Sequence, residues 1–149
     1  GGLHMLHIYT IGSSTSCRRA VKWLKEKKVP FQEHPIDTTS NLSVKTREKL
    51  STDTVKQFLA ASENGCDELL APRSLAMQEL SKVMDITRLS LTEMIDVIAD
   101  HPKMLRWPIA FDDHRQILQV GFNDDEFGTF IPRKLRKMEL NNILARLNG

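Results

Sequence analysis

Cysteine is scarce in this chain: two occur in 149 residues, Cys17 and Cys66. That count excludes a small secreted scaffold held by disulfides and a zinc site built from cysteines, and it fits a reducing, cytoplasmic compartment. No apolar run approaches the roughly 18 residues that span a bilayer, so a soluble protein with no membrane partner is expected. Neither sign of charge dominates either. Lys and Arg number 21 against 19 Asp and Glu, a formal +2, so any surface for nucleic acid has to be local. His4, His7, His34, His101 and His114 lack metal-ligand spacing, and no metal is expected. Phosphate-cradling glycine loops are missing as well, which argues against a nucleotide cofactor and against an ATPase or dehydrogenase. The length supports one core with at most a small insert. Gly1 to His4, ahead of Met5, read as an expression remnant.

What is present is a series of short strands and amphipathic helices. Leu6 to Ile11 is β-prone and ends at Gly12 and a Ser/Thr cluster, a strand entering a tight loop. After Cys17 the apolar residues Ala20, Val21 and Leu24 follow at helical spacing, predicting a helix with Thr15 or Ser16 as N-cap and an end near Val29-Pro30. Phe31 to Ile36 alternates and reads as a second strand beside the first, in a β-α-β unit. Residues 38–49 are polar without a clear period, as in a loop. Ser51 caps a helix that buries Val55, Phe58 and Leu59, with Asn64-Gly65 closing it. Pro72 starts another, with Leu75, Met77 and Leu80, and Ser90-x-x-Glu93 is a capping box before Met94, Ile95 and Ile98. Period two returns in Ile109 to Phe111 and Ile117 to Val120, a hairpin around Asp112-Asp113-His114-Arg115. Asn123-x-x-Glu126 opens a short helix stopped by Pro132, and Leu140, Ile143, Leu144 and Leu147 share one face of a last helix. This order predicts an α/β, thioredoxin-like domain with a helical insertion. Residues 5–37 and 105–149 form the thioredoxin-like part, 50–104 an inserted helical subdomain, and 38–49 the loop between them.

Three features bear on chemistry. Cys17 falls in the first turn of a helix beside Arg18 and Arg19, where helix N–H groups and cations lower a thiol pKa. The same residue also begins the stripe of Ala20, Val21 and Leu24, which fits a small buried side chain. Three residues earlier stands Ser14, so a dithiol switch is incomplete, and Cys66 lacks basic neighbours. Second, residues 18–28 hold six basic residues and one acid, and the face of Arg18, Arg19, Lys22 and Lys25, with Trp23, suits DNA phosphates, an acidic protein or plain solvent. Third, Arg133, Lys134, Arg136 and Lys137 form another basic cluster, with no DNA-binding signature around either.

Several blocks carry a resemblance: Ser14-Thr15-Ser16-Cys17-Arg18, Glu63-Asn64-Gly65-x-Asp67-Glu68, Leu105-Arg106-x-Pro108-Ile109, Leu118-Gln119-Val120-Gly121-Phe122-Asn123 and Phe130-x-Pro132-Arg133-Lys134. In this order they resemble the Spx family of bacterial transcription regulators, similar in fold to thioredoxin-like arsenate reductases. The resemblance implies docking on the C-terminal domain of the RNA polymerase α subunit under thiol or oxidative stress, with promoter DNA met only as part of the polymerase complex. A proteolytic adaptor and a protease are further implied partners. It also implies a Cys-x-x-Cys redox switch whose second position is Cys17 and whose first is Ser14 here, and a polymerase contact at Gly65. Where the arsenate reductases and several Spx proteins place an arginine before the proline, this chain has Trp107, leaving Arg106 for anion binding or switch coupling. The chain is also longer than the family between Ile36 and Leu50.

Three functions are then in play. A polymerase-binding regulator needs no catalytic residue. An arsenate reductase needs a nucleophile at position 14 and an arginine before Pro108, and has neither. A glutaredoxin-like monothiol route through Cys17 lacks a recognisable glutathione site.

Overall fold

Helix starts in this chain are written in serine. Ser14, Ser51, Ser74 and Ser90 each accept a backbone N–H from the first turn of the helix that follows, giving α1 (Thr15–Glu26), α2 (Thr52–Ala61), α4 (Leu75–Val83) and α5 (Leu91–Asp100). Ser90 and Glu93 complete the expected capping box in both directions. Two starts differ from expectation. The cap of α1 is Ser14, not Thr15 or Ser16, and α4 opens at Ser74, not Pro72, because in each case the serine side chain reaches the orphan N–H. The structure is a computed structural model and describes residues 5–39, 46–131, 140, 141 and 143–147.

Four strands make one mixed sheet in the order β2-β1-β3-β4. β1 (Leu6–Thr10) pairs in parallel with β2 (Phe31–Pro35) through α1, the β-α-β unit read from the sequence. β3 (Ile109–Asp112) lies antiparallel to β1 and is joined to β4 (Ile117–Val120) by the expected hairpin. Asp112 is buried and holds that turn, accepting from the His114 and Arg115 amides at 3.1 and 3.0 Å and from Arg115 Nε at 2.9 Å.

The alternation of β1 divides the core. Leu6 and Ile8 face α1 with Ala20, Leu24, Ala110, Phe127 and Phe130; Tyr9 faces the helices of the 52–104 region with Phe58, Ile98, Trp107 and Phe111. Both faces are covered, as a thioredoxin-like sheet requires. Trp23, half-buried, packs edge-on to Phe122 and Phe127 against this side of the core.

The region between the strands carries α2, the short α3 (Cys66–Leu69), α4 and α5, and a one-turn α6 (Asp124–Phe127) follows the hairpin with Asn123 as its cap. α2 ends at Ala61, so Asn64-Gly65 does not close it. Residues 140, 141 and 143–147 are helical, with Leu140, Ile143, Leu144 and Leu147 exposed. Pro132 and the cluster Arg133, Lys134, Arg136 and Lys137 lie outside the described residues, as do Gly1 to His4 and part of the 38–49 loop. Among the described residues no helix is long and apolar enough to cross a membrane, and no group of three or more metal-binding side chains gathers.

Candidate functional site

Cys17 lies at the base of a cavity of about 530 Å³ rimmed by Arg18, Lys22, Lys25 and Arg47, with Glu26 and Glu33 opposing them. Its backbone N–H donates to Ser14 Oγ at 3.1 Å, so the residue at the expected partner position serves as the helix cap. The thiol is only 3% exposed. Burial pushes its pKa up, and Glu33 adds to that; hydrogen bonds from the Ser14 side chain and the Ile11 backbone, with the Arg18 cation, oppose it without prevailing. This corrects the expectation of a lowered pKa: the helix start is there, but desolvation of the thiolate outweighs it. Cys66, half-buried, opens onto a different cavity lined by Leu70, Met77 and Met94, and both cysteines are free. Burial and then Asp67 raise its pKa as well.

The basic face of α1 is split. Arg18, Lys22 and Lys25 rim the thiol cavity, whereas Arg19 sits over the Phe122 ring at 5.5 Å on the other side. Lys22 also meets Glu26 at 3.9 Å. The fourth cation at the cavity is Arg47, which the sequence reading passed over inside a featureless polar stretch. A β-carbon on Gly12 would lie 2.7 Å from Arg47 Nη2, so the absent side chain lets the guanidinium lie against the loop before Cys17.

Arg106 does not join the thiol. Its Nε donates to Leu70 O at 2.8 Å and its backbone N–H to Leu69 O at 2.8 Å. There it borders a second cavity, about 660 Å³, lined by Glu63, Asp67, Glu68, Glu126, Gln119 and others. Four carboxylates against one guanidinium make this cavity acidic. Gly65 stands at its edge as the residue before α3, with φ +64° and ψ −138°, a conformation that an L side chain rarely adopts. Its N–H donates to Ser62 Oγ at 3.0 Å, and a β-carbon built on it would meet nothing within 4 Å. The space beside the Gly65 α-carbon, where a side chain would stand, is therefore open.

The sequence profile of the ArsC family matches residues 9–130. A protein named global transcriptional regulator Spx from Lactiplantibacillus plantarum is 43% identical over 136 residues, covering 91% of this chain and 93% of its own. The chain belongs to the ArsC family, in its Spx group. The protein of the same name from Bacillus subtilis is 40% identical over 136 residues, 91% of this chain and 94% of that one. Among solved structures, an ArsC family related protein from Bacteroides fragilis superposes with a TM-score of 0.66 at 16% identity, covering 84% of this chain and 96% of that one. The thioredoxin-like, arsenate reductase-like fold read from the element order is the fold observed.

The residue before Pro108 is a buried indole and not an arginine. Trp107 fills the helical side of the core, and its Nε1 donates to Pro102 O at 2.8 Å. Among the described residues the guanidinium at the thiol cavity comes instead from Arg18 and Arg47.

Proposed function

We propose that this chain regulates transcription by docking on the C-terminal domain of the RNA polymerase α subunit, with Gly65 and the acidic cavity as the contact. The observation that carries this reading is the backbone at Gly65: a glycine-only conformation, with nothing over it, beside four carboxylates. A partner can approach the main chain closely there, and cations on that partner find their counter-charges in Glu63, Asp67, Glu68 and Glu126. DNA phosphates would be repelled at the same place, so promoter DNA is met only within the polymerase complex. No catalytic residue is needed. An arsenate reductase or a monothiol carrier would use an accessible thiolate, whereas Cys17 is buried with a raised pKa and Ser14 caps the helix.

The test is binding of the purified chain to the isolated α domain. Gly65→Arg is expected to weaken binding about 100-fold, on the scale of a hot-spot loss. Gly65→Ala carries the same backbone strain without the bulk and is expected to lose less than about tenfold. Wild-type affinity in Gly65→Arg contradicts the reading.

A further inference from the structure

A third cavity, of about 730 Å³, meets the acidic one at Asp67 and differs from it in chemistry. Its wall is Cys66, Leu70, Met77, Met84, Ile86 and Met94, each half-buried and packed on the outside of the helix-side core. Three of the chain's six methionines are gathered here, brought by α4, the residue that ends it and α5. Their backbones are fixed: the Met77 amide donates to Ser74 Oγ at 3.2 Å, that of Met84 to Leu80 O at 3.0 Å and that of Met94 to Ser90 O at 2.8 Å. Leu70 is held from both sides, its amide donating to Cys66 O at 2.9 Å and its carbonyl accepting from Arg106 Nε at 2.8 Å. The cavity is therefore formed before anything enters it, so a ligand loses little to ordering the wall.

What the cavity can hold follows from which of its groups are still unspent. Ser81 Oγ donates to Met77 O at 2.8 Å. Asp85 Oδ1 accepts from the amide and the hydroxyl of Thr87, and its Oδ2 meets Arg88 Nε at 3.3 Å. Of the charged groups at the rim that leaves Asp67 and Lys82, one of each sign and both exposed to water. Water inside finds few partners on a wall of thioethers and alkyl groups, and an apolar molecule that displaces it leaves no polar group of the wall unpaired. An anion is disfavoured, because Glu63, Glu68 and Glu126 line the adjoining cavity together with Asp67. Among the described residues no aromatic ring lines this cavity, so a ring brought by a ligand meets three thioethers, a favourable contact. The volume falls in the range of about 300–1,000 Å³ typical of small-molecule sites.

We propose that this cavity is a binding site for an uncharged aromatic small molecule, held by Met77, Met84 and Met94. Methionine side chains are unbranched and polarisable, so the wall adapts to rings of different outline while the backbone behind it stays in place. This inference stands whether or not the polymerase reading holds.

Titration with naphthalene of the full chain, labelled with carbon-13 at the methionine methyl groups, tests it. The expected result is a saturable shift of the Met77, Met84 and Met94 methyl signals, with a dissociation constant on the order of 100 μM. Met104, sealed in the core, and Met5, near the start of the chain, should not move. Naphthalenesulfonate, the same ring with a negative charge, should bind at least about threefold more weakly at low salt. Ser81→Trp, on the exposed rim, puts an indole into the space and should weaken naphthalene binding at least about tenfold. Leu144→Asp, on the exposed face of the terminal helix, should leave the affinity unchanged. No shift up to naphthalene saturation, equal shifts at Met5, equal or tighter binding of the sulfonate, or wild-type affinity in Ser81→Trp overturns the proposal. Binding seen only in Leu144→Asp would mean that the cavity holds the chain's own helix, and overturns it too.

Discussion

Two of the cavities of this protein are opposites. One is cationic, rimmed by Arg18, Lys22, Lys25 and Arg47 over a buried thiol; the other is anionic, lined by Glu63, Asp67, Glu68 and Glu126 beside an open glycine. A net formal charge of +2 hides both, because their charges nearly cancel in the sum. The contrast teaches that accessibility, not charge alone, separates a surface that can take a partner from one built around a protected group. At Cys17 the reactive atom is withdrawn and the residue three positions earlier is spent on capping a helix. At Gly65 the space a side chain would fill is open, in a backbone conformation that L side chains rarely adopt.

The difference can be broken most sharply at the thiol. With Cys66 changed to Ala, alkylation of Cys17 at pH 7 should run at least about tenfold slower than for a cysteine in an unfolded peptide, because burial raises its pKa and shields the sulfur. The rate should climb as pH passes beyond the ordinary cysteine range, near 8.5. A peptide-like rate at pH 7 would mean the cavity exposes a thiolate after all. Next in size, Ser14→Ala should cost about 1 kcal/mol of folding stability in urea titration through loss of the cap. It should also push the Cys17 pKa further up, since the Ser14 hydrogen bond now lowers it. The smallest effects concern charge. Asp67→Asn with Glu126→Gln should weaken α-domain binding about threefold at low salt and little at high salt, as exposed charges do. Lys22→Ala with Lys25→Ala, on the other cavity, should leave binding within about 0.5 kcal/mol of wild type.

The fold was largely legible in the sequence because its signals are local. The Ser90 and Glu93 capping box, the Ser51 cap, the period-two runs around Asp112 to Arg115 and the 3.6-residue stripe of α1 each act over a few residues. The place of Cys17 in the first turn of α1 followed from the same patterns, whereas Ser14 as the cap and Gly65 ahead of α3 did not. What stayed hidden depends on contacts between distant segments. Cys17 stands at a helix start, which favours a thiolate, but the stripe it shares with Ala20 and Leu24 puts it in the core, and burial wins. Arg47 reaches Gly12 from a stretch without periodicity, so nothing short of the fold could place it at the thiol. Arg106, next to Pro108 in sequence, turns to Leu70 because the bridge between Leu70 and Leu105 carries it to the other cavity. His7 and His34, 27 residues apart, meet only because β1 and β2 are parallel neighbours.

The central claim, that the acidic cavity beside Gly65 is the docking face and the thiol cavity is not, is tested most directly by titrating the nitrogen-15-labelled chain with the isolated polymerase α C-terminal domain. The account predicts amide shift changes concentrated at Ser62 to Glu68 and at Gln116 to Val120, with Arg18, Lys22 and Lys25 unmoved. Changes confined to α1 and the loop before Cys17, or none at all at saturating partner, would contradict it.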